Sequence, residues 1–126
     1  MFVYKINDTM YQRDIALCFN GTQKEMGGYI KRRFNLLGES PTSEGEFSKI
    51  TGNDGSKSYL IYIESFNWLV KEYGLLAHEV VHCVHRILKD LGFTLTDSSV
   101  EAYCYCYQRI FQECIRGISS KQKVVK

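Results

Sequence analysis

Between Tyr73 and Leu91 the apolar residues Leu76, Val80, Val84, Ile87 and Leu91 recur at helical period, which fixes one buried face. Gly92 follows as a natural helix stop. All three histidines of the chain, His78, His82 and His85, fall inside this segment. At about 100° per residue they gather within roughly 40° of one direction, opposite the apolar stripe. They are not core histidines. A stripe facing water is the competing reading, and solvated faces are usually charged throughout. From Gly74 to His85, however, there is no lysine or arginine, and Glu79 is the sole charged residue. The helix becomes charged only at Arg86, Lys89 and Asp90. Its histidine side is lined for a ligand.

The spacing His78-Glu79-x-x-His82 has a chemical logic. Histidines four apart stand one turn from each other, so both rings can reach one Zn2+ ion at about 2.0–2.1 Å. Glu79 points sideways from that pair, placed to bind and deprotonate a water rather than to act as a ligand. Catalytic zinc usually has a third protein ligand and an open position. His85 points the same way, but from His78 to His85 a straight helix rises about 10 Å. One ion does not easily collect all three rings, so His85 reads as a wall of the site or a group behind the ligands. Glu101, on the next helical segment, is the other candidate. Ser98-Ser99-Val100-Glu101 is also a capping box, so Glu101 either ligates the ion or ties back its own helix start.

At 126 residues the chain reads as one domain over residues 1 to 118, followed by a flexible basic tail over 119 to 126. Phe2 to Ile6 and Asp14 to Asn20 read as strands. A helix is expected over residues 22 to 36, opened by the capping box Thr22-Gln23-Lys24-Glu25. The single proline, Pro41, marks a loop, and Asn53-Asp54-Gly55 marks a hairpin leading into the strand Tyr59-Leu60-Ile61-Tyr62-Ile63. Residues 65 to 74 read as an irregular connection or a short turn of helix. The helix at 73 to 91 and another at 99 to 116, stopped by Gly117, close the domain. Sheet elements first and paired helices last give an α+β fold with a short mixed or antiparallel sheet.

HEVVH followed by EAYCY resembles the gluzincin branch of the zincin metallopeptidases, above all its minimal members and small proteins of phage and prophage genomes. The likeness covers residues 58 to 116. It implies a small zincin-like domain with His78, His82 and Glu101 as zinc ligands and Glu79 as general base. It also implies that Tyr59 to Ile63 form the edge strand pairing with extended substrate. Larger gluzincins carry an aspartate four residues after the ligand glutamate, and here that position is Tyr105. His85, Tyr103 and Tyr105 are the candidates for stabilising the transition state or supporting the ligands.

The resulting expectation is a zinc-dependent metallopeptidase acting on a peptide or protein substrate. The alternative is a zincin-like zinc-binding protein without peptidase activity, such as a phage-encoded binder or inhibitor of a host protein. A net charge of +2 gives nucleic acid little to hold, and Lys31-Arg32-Arg33 reads as a solvated helix face. No apolar run approaches the roughly 18 residues of a membrane span. The first residues show no secretory leader, and five cysteines without C-x-x-C spacing suit reduced thiols, so a cytoplasmic location is expected.

Overall fold

The structure, a computed structural model, describes residues 1–8, 10–36, 40–52 and 54–122. Among these residues four strands and three helices follow one another as β1 (Phe2–Ile6), β2 (Asp14–Phe19), α1 (Gln23–Phe34), β3 (Gly45–Thr51), β4 (Lys57–Ile63), α2 (Val70–Asp90) and α3 (Val100–Lys121). The fold is α+β with a mixed sheet in the order β1-β2-β4-β3. β2 and β4 run parallel at its centre, and each outer strand is antiparallel to its neighbour.

Helices cover both faces of the sheet, so the central strands are apolar on both sides. Ile15, Leu17 and Phe19 of β2 join Tyr59, Ile61 and Ile63 of β4 in a core with Leu76, Val80 and Ile87 of α2 and with Ile110 and Ile118 of α3. The alternate residues Ala16, Cys18, Leu60 and Tyr62 pack with Met26 and Ile30 of α1. This period of two explains the uninterrupted apolar run of β4.

Local chemistry sets most element ends. The Thr22 hydroxyl accepts from the Glu25 N–H, and the Glu25 carboxylate accepts from the Thr22 N–H, both at 3.1 Å, forming the expected capping box. The β3–β4 hairpin closes with the Gly52 N–H donating to Ser56 O at 2.7 Å and the Ser56 N–H donating to the Asp54 carboxylate at 3.0 Å. Asn53 of the expected turn lies outside the described residues.

Two helix ends differ most from the sequence expectation. α2 begins at Val70, taking in residues expected to form an irregular connection or a separate short turn of helix, because the buried Glu72 carboxylate accepts the Asn67 and Leu69 N–H groups. Leu69 carries no capping oxygen, so no sequence signature announced this start. α3 does not stop at Gly117 but runs on to Lys121. Gly117 serves packing instead: a Cβ there would run into the ring of Tyr4 on β1. Residues 119 to 121 are thus helical rather than part of a loose tail, and Gln122 accepts from Asn20 Nδ2 at 2.6 Å. Residues 123 to 126 of that tail lie outside the described residues. By contrast Gly92 ends α2 as expected, with φ of 89°.

A partly buried polar cluster ties α2 to the sheet. The Tyr59 hydroxyl of β4 donates to Asp90 at 2.6 Å, and Lys49 Nζ of β3 lies 2.9 Å from the same carboxylate oxygen. All five cysteines are free thiols, and Cys104 is the exposed one. No helix among the described residues is long and apolar enough to cross a membrane.

Candidate metal centre

α2 buries Leu76, Val80, Val84 and Ile87 and leaves His78, His82 and His85 exposed, the two faces its periodicity requires. His78 and His82 stand one turn apart with their Nε2 atoms 3.2 Å apart and ring centroids 4.9 Å apart. Two nitrogens bound at about 2.0–2.1 Å to a tetrahedral ion stand about 3.3–3.4 Å apart, so the pair is spaced for a shared ion. A hydrogen bond between the rings would give a similar distance. Glu79 separates these possibilities.

Glu79 is only 5% exposed, and one of its oxygens lies 3.9 Å from His78 Nε2. Its other oxygen, Oε2, is buried without a hydrogen-bond partner among the described residues. A buried polar atom left unpaired costs about 1–3 kcal/mol, and more when charged. Burial pushes the carboxyl above its ordinary range; His78 and His82 pull it back, and Glu46 adds to the rise. An orphaned, destabilised carboxylate beside two paired imidazoles suits a site completed by a cation and a water.

Among the described residues, His78, Glu79 and His82 are the group of metal-ligating side chains whose atoms lie within 4.8 Å of one another. Glu101 is outside it, on the exposed side of the first turn of α3. The reason is helical phase: α3 turns Tyr103, Cys106 and Ile110 inward, and Glu101 lies about 160° round the helix from Tyr103. Nor does Glu101 cap its helix. Ser99 is the N-cap residue, and its hydroxyl accepts from the Thr96 N–H at 2.9 Å and donates to Thr94 O at 2.5 Å. His85 is exposed and Tyr103 half-buried, both along the α2–α3 groove, while Tyr105 is 59% exposed.

The edge-strand expectation for Tyr59 to Ile63 is corrected. β4 is hydrogen-bonded to β2 on one side and to β3 on the other, so it has no open edge. The strand beside the histidines is β3. A cleft of about 370 Å³ lies between β3 and α2, lined by Ser43, Gly45, Glu46, Phe47, His78, Glu79 and His82. The Glu64 N–H donates to Glu44 O, which makes Glu44 and Glu64 a hydrogen-bonded pair. Gly45, Phe47 and Lys49 therefore turn their backbone groups away from β4, towards the open edge. The Ser43 hydroxyl donates to Gly45 O at 2.6 Å, in accord with that phase. A hairpin signal marked β3 in the sequence. Its outer position depends on the parallel pairing of β2 with β4, which has no local signature.

Comparison with known protein families, curated proteins and solved structures finds no match for this chain.

Proposed function

We propose that this chain is a small zincin-like hydrolase of peptide bonds, with His78 and His82 holding zinc and Glu79 acting as general base. The observation that carries the reading is the buried Glu79 oxygen, unpartnered among the described residues, beside two imidazoles whose Nε2 atoms are 3.2 Å apart. Zinc bound there supplies a Lewis acid that polarises a carbonyl and lowers the pKa of water.

The chain's own residues account for the rest. Glu79 takes the proton of the attacking water and passes it to the leaving amine. Phe47 and Lys49 offer outward N–H and C=O groups on the β3 edge, where an extended peptide can add as a further strand beside the cleft. Cleavage of an unfolded protein such as reduced casein tests the reading. It is expected to require added zinc, to stop with a chelator and to resume when zinc is restored. Cleavage unaffected by chelator would overturn it.

The placement of Glu101 favours one second reading, a zinc-binding protein of zincin-like frame without peptidase activity that acts by binding a host protein. Zinc uptake without cleavage of any protein offered would support it.

A further inference from the structure

The cleft between β3 and α2 is acidic. Glu46 and Glu79 line it, and among the described residues no lysine or arginine does. Glu79 is 5% exposed and leaves its Oε2 without a hydrogen-bond partner there among the described residues. Glu46 is half-buried at the rim and makes no ion pair among the described residues. The pattern continues along the seam of β3 and α2. An adjoining concavity of about 510 Å³ is lined by Glu44, Glu64 and Glu72 against one cation, Lys71. Glu72 is held by N–H groups at the start of α2, but Glu44 and Glu64 have no ion-pair partner among the described residues either. Carboxylates gathered around a groove without counter-charges concentrate a negative field in it, which draws in cationic ligands.

Strand geometry singles out Glu46. Phe47 stacks on Tyr59 with ring centroids 6.3 Å apart, and Lys49 meets Asp90, so these alternate residues of β3 serve the core and α2. Glu46 stands out of that phase. Its backbone groups face Tyr62 of β4, which leaves those of Gly45 and Phe47 on either side for an added strand. A peptide added antiparallel to this edge sets one residue directly across from Glu46, in a pair without backbone hydrogen bonds between its members. Such pairs are the closer kind, with Cα atoms about 4.5 Å apart. Opposite charges facing each other there attract, and like charges repel. We propose that Glu46 selects a lysine or arginine at the facing position of the peptide. The substrate class is then a polypeptide with a basic residue beside the bond that lies over His78, Glu79 and His82. Glu44 and Glu64 steer a cationic chain into the seam, while Glu46 fixes where its basic residue stops and takes no part in proton transfer.

This inference rests on the hydrolytic reading, and binding without turnover separates the two. The probes are fluorescein-labelled nonapeptides of glycine and serine with lysine, glutamine or glutamate at the centre. Fluorescence anisotropy is measured at low ionic strength on the whole chain carrying Glu79→Gln, with and without zinc, so that neither cleavage nor the Glu79 charge enters. The lysine peptide is expected to bind roughly fivefold more tightly than the glutamine peptide, the upper end for one partly exposed charge pair. Adding Glu46→Gln should abolish the difference, and Glu46→Lys should turn it towards the glutamate peptide. Glu101→Gln removes the same charge outside the cleft and should leave the preference intact. Absence of binding, equal binding of the lysine and glutamine peptides, or a preference that survives Glu46→Gln overturns the proposal. So does a preference that Glu101→Gln abolishes equally, since the attraction would then belong to the chain's overall charge. A preference set by Glu46, in a wild type that cleaves nothing with zinc, leaves the site and removes the hydrolase. Zinc-dependent cleavage indifferent to basic residues does the reverse.

Discussion

Glu79→Gln is expected to keep zinc and to lose about 10²- to 10⁴-fold in peptide hydrolysis, the usual contribution of a general base. The amide has nearly the shape of the carboxylate and leaves His78 and His82 untouched, but it accepts no proton from water. The same variant should gain about 1 kcal/mol of stability in the zinc-free protein at neutral pH, because the buried oxygen without a partner no longer carries charge. The pH dependence has a definite sign. Burial raises the folded-state pKa of Glu79, so the folded chain binds that proton more tightly than the unfolded chain. Its contribution to stability therefore falls as pH rises from about 4.3, the unfolded value, through the folded one. Urea titrations across that window should show the slope in wild type and its loss in Glu79→Gln. Full hydrolytic activity in the variant would remove Glu79 from the mechanism.

The largest effect on stability is expected from Asp90→Ala, about 2 kcal/mol, between the values for an exposed and a buried ion pair, since both partners keep some solvent contact. Alanine leaves Lys49, whose side chain is 18% exposed, without its counter-charge and the buried Tyr59 hydroxyl without its acceptor. Desolvation alone would raise the Asp90 pKa, but the hydrogen bonds from Tyr59 and Lys49 outweigh it and hold the carboxyl below its ordinary range. This contribution is present above the unfolded pKa of about 3.9 and is lost as pH falls through the lowered folded value. Because Asp90 ends α2, its loss loosens the histidine helix from β3 and β4. The triple replacement Asp90→Ala, Lys49→Met, Tyr59→Phe should recover much of the loss, since no charge or hydroxyl is then buried alone. Urea midpoints for the single and triple variants check both statements. An unchanged midpoint in Asp90→Ala would show that the cluster does not anchor the helix.

What the sequence disclosed is what neighbouring residues decide. Thr22 and Glu25 meet within one turn, so the start of α1 could be read directly. The pair His78 and His82, and the burial of the opposite face of α2, follow from a single period. Long-range pairing decided the rest. Five successive apolar residues in β4 are the same whether the strand lies at an edge or between two others, and only the parallel register with β2 makes it central. Gly117 looks like a helix stop until Tyr4, more than a hundred residues earlier, is seen to occupy the space over it. Glu101 lies at a plausible distance along the chain from His82. The phase of α3, set by its core contacts with the sheet and α2, turns it outward.

Elemental mass spectrometry of the purified chain, after exposure to zinc and removal of loosely bound ion, shows whether His78 and His82 hold a metal. Wild type, His82→Ala and Glu101→Ala are compared. One zinc per chain is expected in wild type, with its loss in His82→Ala and its retention in Glu101→Ala, whose carboxylate stands outside the cluster. Loss in Glu101→Ala would contradict the ligand set placed here and restore the glutamate of the gluzincin pattern. Wild type without zinc, or zinc indifferent to His82, would contradict the metal centre itself.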